Sequence, residues 1–357
     1  MHRLGYYLHR LFRLDGANMW RLAGLISAES RMPRLLVVAD MVQCSVRYYA
    51  GYHDYHEWDW HLLRGAERRT YLTRPQAHEL TLLLNDPNSA ADFVDKARFN
   101  RRFAAYIGRR WLDLRAAGVD DLADFLARHG EAVVKTADGM GGTGIRIVTA
   151  DDAHDPAALY AELRDAGLVI IEERIRQHAD LERLAPESVN TVRLVTYLDG
   201  DHVEVLARVL KLGHGEPVDN FGRHGMQTTL AEDGSAPWGA FDKDGRRFLV
   251  HPTSGVGIPG TVVPLWDEVL DLVDRAARVV PAVPYVGWDV AITPDGPVLI
   301  EGNYDSGVFQ MKPSMSDVRT GLRERYLAAV GIDVRGRRLP RSAKRTATER
   351  RVTQARA

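Results

Sequence analysis

One stretch narrows the choice of fold more than any other, Gly287-Trp-Asp-Val-Ala-Ile-Thr-Pro-Asp-Gly-Pro-Val-Leu-Ile-Glu-Gly-Asn303. Val290 and Ile292 on one side of Pro-Asp-Gly, with Val298 and Ile300 on the other, describe two strands joined by a tight hairpin. Pro294 to Gly296 suits a three-residue turn of type I, with Pro second and Gly in the left-handed bulge position. That register sets Thr293 opposite Pro297 and Asp289 directly across from Glu301. Asn303, two residues on, shares their face. Two acids facing each other in an otherwise apolar hairpin repel unless a cation bridges them or one is protonated. Carboxylate, carboxylate and amide form an oxygen-only donor set that suits Mg²⁺ or Mn²⁺. A solvated face with incidental acids, or a carboxylate pair sharing a proton for acid–base work, are the alternatives.

The second feature is Gly139-Met-Gly-Gly-Thr-Gly144. A dinucleotide fingerprint needs a helix after the loop, but Ile145-Arg-Ile-Val148 reads as a strand. A Walker loop needs Lys-Ser/Thr where Ile145-Arg146 stands. What remains is a glycine hairpin between two strands, able to close over phosphates through exposed amides, with Lys135 on the incoming strand. The bland alternative is a glycine-rich turn beside a surface lysine. A protein kinase also uses a glycine hairpin, but its lysine follows on a later strand, and the lack of H-R-D and D-F-G argues further against one.

Along the chain, residues 1–85 read as mostly helical, with Arg34 to Ala39 as one buried strand. Asn85-Asp-Pro-Asn-Ser89 is a turn cluster and a boundary. Phe93 to Leu114 reads as one helix, and Ala132–Lys135, Ile145–Val148 and Leu168–Glu173 as strands. Long strands follow at Thr191–Leu198, Val203–Leu212 and Met226–Leu230, then an amphipathic helix over Pro264–Val280. The expected class is α+β with largely antiparallel sheets.

Charge sharpens the reading. Residues 335–357 carry nine Lys/Arg against one acid, or +8, which leaves 38 basic and 47 acidic residues, or −9, for residues 1–334. An acidic body argues against a nucleic-acid groove, and the tail reads as a disordered extension, with an arm for an acidic partner as the sharper alternative. One cysteine, Cys44, excludes a disulfide framework. No apolar run is long enough to span a bilayer, and no signal-peptide core is found at the N-terminus. A cytoplasmic protein is expected.

These pieces together resemble the ATP-grasp superfamily: a lysine, a second lysine before a glycine flap, an apolar strand ending in Glu-Glu, then Asp and Glu-x-Asn. The resemblance is to the sugar-transfer associated branch, through Ser188-Val-Asn-Thr-Val-Arg193, Asp219-Asn-Phe221 and Gly287–Ile292 with its Glu301-Gly-Asn303 return. It covers roughly residues 86–315 and implies two α/β lobes with antiparallel sheets gripping ATP, preceded by a helical lobe. The domains would be a helical lobe at 1–85, a small lobe with the flap at 86–185, a large lobe with the Mg²⁺ site at 186–333, and a basic tail at 334–357. Lys96 and Lys135 would contact phosphates under the flap of Gly139, Gly141, Gly142 and Gly144. Glu172, Glu173 and Ile175 would mark the hinge that reads adenine, with an acid near the ribose. Asp289, Glu301 and Asn303 would hold two Mg²⁺ ions, with Mn²⁺ as a substitute. Arg193 and Arg208 would clamp the phosphoryl group or a substrate carboxylate, with Lys211 as a further catalytic candidate. Where this branch shows Gly-Gly after Asn220-Phe221, His224-Gly225 stands here, so His224 is a candidate substrate contact.

The resemblance implies an ATP-dependent carboxylate–amine ligase that forms an amide through an acyl phosphate and releases ADP and phosphate. Its partners would be small-molecule or peptide carboxylates and amines, with a homodimer left open. A phosphotransferase acting on a hydroxyl and an inactive nucleotide-binding module are the alternatives. Of the remaining features, the aromatic run Tyr48 to His61 reads as a packed cover over the cleft, ahead of substrate recognition or a His53/His56/His61 metal site. Cys44 reads as a small buried residue, not a nucleophile, and Arg101-Arg102 and Arg109-Arg110 as a solvated helix face, with phosphate contact as the sharper alternative.

Overall fold

The computed structural model describes residues 15–139, 144–186, 188–215, 219, 221–222 and 225–331. Expectations for Gly141, Gly142, Asn220, His224 and the tail 334–357 lie outside the described residues. The chain divides into two units, Met1–Gln76 with Gln310–Arg323, and Ala77–Phe309 with Glu324–Ala357.

In the first unit, helices α1 (Gly16–Ser30), α2 (Arg34–Tyr48) and α3 (Tyr52–Glu57) follow one another. The strand expected at Arg34–Ala39 is the start of α2. Its run of branched residues looked like β, but Val37, Met41 and Cys44 are buried at helical spacing while Leu35 and Leu36 stand exposed. The aromatic segment forms the core of this unit, with Tyr55, Trp58, Trp60 and Tyr71 sealed from solvent. Trp60 meets Tyr48 and Tyr71 edge-on, at centroid distances of 5.6 and 6.2 Å. Gln310–Arg323 is stitched into the same unit. Gln310 bonds both backbone groups of Leu72, and the Lys312 ammonium lies buried 2.6 Å from Asp59. Nothing local in the sequence marks that return.

The second unit begins within α4 (Arg74–Leu84), which carries Pro75 in its first turn, where no amide is needed. The side chain of Asn85 then donates to the carbonyls of Tyr285 and Tyr304 and accepts from the Tyr285 amide. The single helix expected over Phe93–Leu114 is broken. Asp95 leaves helical geometry to cap α5 (Lys96–Arg102), accepting from the Arg98 amide, and Trp111–Asp113 is strand β1.

Strand β1 edges a four-stranded antiparallel sheet in the order β1-β4-β2-β3, with β2 (Glu131–Thr136), β3 (Ile145–Thr149) and β4 (Leu168–Glu173). Helices α6 (Val119–His129) and α7 (Pro156–Asp165) pack Leu122, Phe125, Leu126, Leu159 and Leu163 against Ala132, Val134 and Ile171 on one face. Lys135 and Glu172 lie on the other.

The seven-stranded antiparallel sheet runs β11-β10-β5-β6-β7-β8-β9. Its strands are β5 (Thr191–Asp199), β6 (His202–Leu212), β7 (Met226–Thr229), β8 (Ala240–Asp242), β9 (Arg247–Phe248), β10 (Tyr285–Thr293) and β11 (Gly296–Asn303). Helix α8 (Trp266–Ala277) buries Val269, Leu272, Val273 and Ala276 in one core with Val192, Leu194, Leu210, Trp288 and Val290, the even-numbered face of the central strands. The odd-numbered face is free to carry polar side chains.

The β10–β11 hairpin corrects the expected turn. Thr293 pairs with Gly296, not Pro297, so the turn holds only Pro294 and Asp295. Pro297 has no amide with which to close the longer loop. Yet Asp289 does pair with Glu301, because the register shifts by one residue between Asp289 and Val290. Ile300 is the extra residue of this bulge. The segment before β1 engages the hairpin at that point. Leu299 donates its amide to Tyr106 O at 2.8 Å, and Arg109 Nη1 donates to Leu299 O at 2.6 Å. Gly108, at φ 56°, permits the approach, since a Cβ there would lie 2.3 Å from Val298 Cγ1.

Candidate functional site

The β2–β4 register pairs Val133 with Glu172, so Lys135, two residues on, shares the face of that acid. Lys135 Nζ lies 2.6 Å from Glu172 Oε2. Glu172 Oε1 accepts from Asn100 Nδ2 at 2.9 Å and Arg109 Nη2 at 3.0 Å. Burial alone would raise this carboxyl, but the charges of Arg109 and Lys135 and the hydrogen bonds outweigh it and hold Glu172 far below the usual carboxylate range. Glu172 is thus a buried counter-ion whose oxygens are all engaged.

The outer-facing Glu173 accepts from the Arg110 amide at 3.1 Å, and its own amide donates to Arg110 O. Ile175 lies just past the strand end, half-buried. Arg109 was expected on a solvated helix face and is instead buried, while Arg101, Arg102 and Arg110 are exposed. The reason is its position after Gly108, which turns one guanidinium of the Arg-Arg pair inward onto Glu172 and the carbonyls of Leu299 and Ile300.

Lys96 opens α5. Its amide donates to Ala137 O and its ammonium to Gly139 O at 2.5 Å, which ties it to the root of the glycine stretch. Burial depresses the Lys96 ammonium, with Glu301 opposing and Lys135 adding to the shift. Glu301, Lys135 and Glu172 thus all act on the charge of Lys96. At the far end of the stretch, Gly144 has φ 67° and a Cβ there would meet Thr136 Cγ2 at 2.7 Å.

The odd face of the seven-stranded sheet gathers the second group. Arg193 on β5 pairs in register with Asp289 on β10, which pairs with Glu301 on β11. Arg193 grips Asp289 with two parallel bonds of 2.5 Å, from Nε and Nη2, and its Nη2 lies 4.0 Å from Glu301 Oε1. Lys211 Nζ straddles the same carboxylate at 2.8 and 2.9 Å. Burial would raise the Asp289 carboxyl, but Arg193 and Lys211 hold it far below its ordinary value. Arg208 is not brought to this group. It pairs with Leu194 and lies three residues from Lys211, so it occupies the opposite face.

The Ser188–Arg193 stretch fixes the entry to β5. Asn190 is fully buried, its Nδ2 donating to Gln177 Oε1 at 2.9 Å and Ala185 O at 2.8 Å. Thr191 donates its amide and hydroxyl to Asp219 Oδ2 at 2.8 and 2.5 Å. Burial pushes the Asp219 carboxyl up to about 6, with Lys211 lowering it and Asp289 raising it further. Asn100 and Gln177 carry no signal in the sequence, Arg109 stands there only as one of an Arg-Arg pair, and Asp219 opens the Asp219-Asn-Phe221 motif without a role of its own.

The residues present fit a hard divalent cation in kind. Glu301 and Asn303 offer oxygen donors on the face they share with Asp289, whose own oxygens are taken by Arg193 and Lys211. Asn303 Nδ2 donates to Gly287 O at 3.1 Å and Glu301 Oε1 at 3.3 Å, which orients the amide. Glu301 Oε2 and Asn303 Oδ1 accept no hydrogen bond among the described residues. No cluster of three or more His, Cys, Asp or Glu suited to a metal occurs among the described residues, and none forms from the histidines of the aromatic segment. No helix among them is long and apolar enough to cross a membrane.

The model of the sugar-transfer associated ATP-grasp family matches residues 76–325. No curated protein sequence matches the chain. Among solved structures, the ATP-grasp ligase PsnB complexed with minimal precursor is similar at 17% identity over 62% of this chain and 56% of that one, with a TM-score of 0.38. D-alanyl-alanine synthetase A from Vibrio cholerae is similar at 16% identity over 66% and 62%, with a TM-score of 0.39. Phosphoribosylamine–glycine ligase from Thermotoga maritima is similar at 12% identity over 72% and 58%, with a TM-score of 0.44. The chain thus spans less than two thirds of the length of each of these three.

Proposed function

The chain belongs to the sugar-transfer associated ATP-grasp family, and from that premise we propose that it is an ATP-dependent ligase joining a carboxylate to an amine, with release of ADP and phosphate. The observation that carries this reading is the buried Arg109, which bonds Glu172, the partner of Lys135, and also the carbonyls of Leu299 and Ile300 next to Glu301, so that a lysine and the acidic face are held on one guanidinium. A site combining paired lysines with an oxygen-donor face suits a nucleoside triphosphate and its divalent cation.

In this reading Lys96 and Lys135 bind the phosphates, and backbone groups of Glu173 to Ile175 read the adenine edge. Glu172, with Asn100 and Arg109, holds the Lys135 ammonium in place. Asp289, Glu301 and Asn303 would hold Mg²⁺, which when bound offsets charge on the phosphate oxygens. Arg193 presents a fixed guanidinium beside Glu301, suited to steadying the oxygens of a phosphoryl group or a substrate carboxylate. Transfer of the γ-phosphoryl group to a carboxylate breaks the β–γ phosphoanhydride and forms an acyl phosphate. An amine then attacks the acyl carbon, phosphate leaves, and the amine gives up its proton. Product analysis tests this. A ligase releases free phosphate only when both carboxylate and amine are supplied, whereas a stable phosphorylated product would identify a phosphotransferase instead.

A further inference from the structure

Asp289 has no acceptor capacity left. An ionised carboxylate offers about four lone-pair sites. Here Oδ1 takes Arg193 Nε and Lys211 Nζ, while Oδ2 takes Arg193 Nη2 and Lys211 Nζ. The acid assigned to the cation is therefore already saturated by two side-chain cations.

The two cations are not equally held. Arg193 is bidentate and buried, and its guanidinium lies over the Phe309 ring at 5.5 Å. Lys211 is a single ammonium on a flexible stem, bound at longer distances. An alternative partner lies nearby. Asp219 is held through Oδ2 by Thr191, which adjoins the Val192–Leu210 pair next to Lys211, and its Oδ1 accepts no hydrogen bond among the described residues.

We propose that Lys211 is a placeholder cation: it neutralises Asp289 while no divalent ion is bound, and it swings to Asp219 when one arrives. A dication at Asp289 and Glu301 repels an ammonium beside it, and Asp219 offers that ammonium an acid of its own. The Asp289 share of the ion site is thereby built only as Lys211 leaves. The inference rests on the ligase reading for the identity of the ion site.

The test is Mn²⁺ binding to the full chain without nucleotide, followed by electron paramagnetic resonance. Lys211→Gln should tighten Mn²⁺ by about tenfold or more, the low end of what a close charge pair is worth. Lys211→Arg should keep the wild-type affinity, because the competing charge remains. Asp219→Asn should weaken binding, since the ammonium loses its landing acid. Unchanged or weaker binding in Lys211→Gln, equal tightening in Lys211→Arg, or unaltered binding in Asp219→Asn overturns the proposal. Thermal unfolding of each variant guards against misfolding: a Lys211→Gln chain that melts cooperatively like wild type yet binds Mn²⁺ no tighter counts against the swing. Glu301→Gln separates the two levels. If it binds Mn²⁺ like wild type, the ion-site reading fails; if it loses Mn²⁺ while Lys211→Gln gains nothing, only the placeholder fails.

Discussion

Arg109 and Glu172 form an ion pair of 3.0 Å with side chains 2% and 4% exposed, and the same guanidinium bonds the carbonyls of Leu299 and Ile300. One side chain thus links the strand that holds the Lys135 partner to the bulge that aligns Glu301 with Asp289. Breaking a buried pair from one side leaves an uncompensated charge, so Arg109→Met should cost about 3–5 kcal/mol. Urea denaturation measures it, and a loss below about 1 kcal/mol, the scale of an exposed pair, would contradict the role given to this contact.

Lys135→Met leaves Glu172 its bonds to Arg109 and Asn100, so the fold should survive. ATP affinity should fall by about 1.5–3 kcal/mol, the scale of a hydrogen bond to a charged group. Calorimetric titration reads this directly, and unchanged affinity would remove Lys135 from the phosphate contacts.

The facing of Asp289 and Glu301 was legible in the sequence, but through the wrong turn. A three-residue loop was expected, and a two-residue loop plus a bulge at Ile300 restores the same pairing. The bulge is engaged by Tyr106 and Arg109, far away in the chain, so no local pattern could show it. Strand alternation could have placed Arg208 opposite Lys211, and that signal was missed. The α2 helix failed for the reverse reason: its apolar run suits a strand, and only the burial of Val37, Met41 and Cys44 at helical spacing reveals the helix. Motif order pointed to the lysines and the acidic face as candidates, while Asn100 and Arg109, which hold the Lys135 partner Glu172, carry no motif at all.

Asp219 sets a pH dependence. Its carboxyl titrates near 6 in the folded chain, against about 3.9 unfolded. Between those values the folded state binds more protons, so this residue's contribution to stability falls as pH rises from about 4 to about 6 and is level above. Thermal midpoints of wild type and Asp219→Asn across that range should diverge in that direction. Parallel curves would show that Asp219 is not perturbed.

Cys44 is fully buried beside Arg68 and Asp40, and burial pushes its thiol up to about 12. An aromatic disulfide reagent at neutral pH should leave the native chain unmodified and titrate the thiol only after denaturation. Rapid native labelling would contradict the packing of α2.

In the proposed ligase one site holds a nucleotide and its divalent cation, with Glu301 as an ion ligand. Thermal unfolding with ATP or ADP, with and without Mg²⁺, on wild type and Glu301→Gln tests it most directly. Ligand at about 100 times its dissociation constant adds roughly 2.7 kcal/mol, a readable upward shift. Wild type should gain most with nucleotide and Mg²⁺ together, and Glu301→Gln should gain no more from the pair than from nucleotide alone. A full response in Glu301→Gln, or none in wild type, would remove Glu301 from the ion site or the nucleotide from the chain.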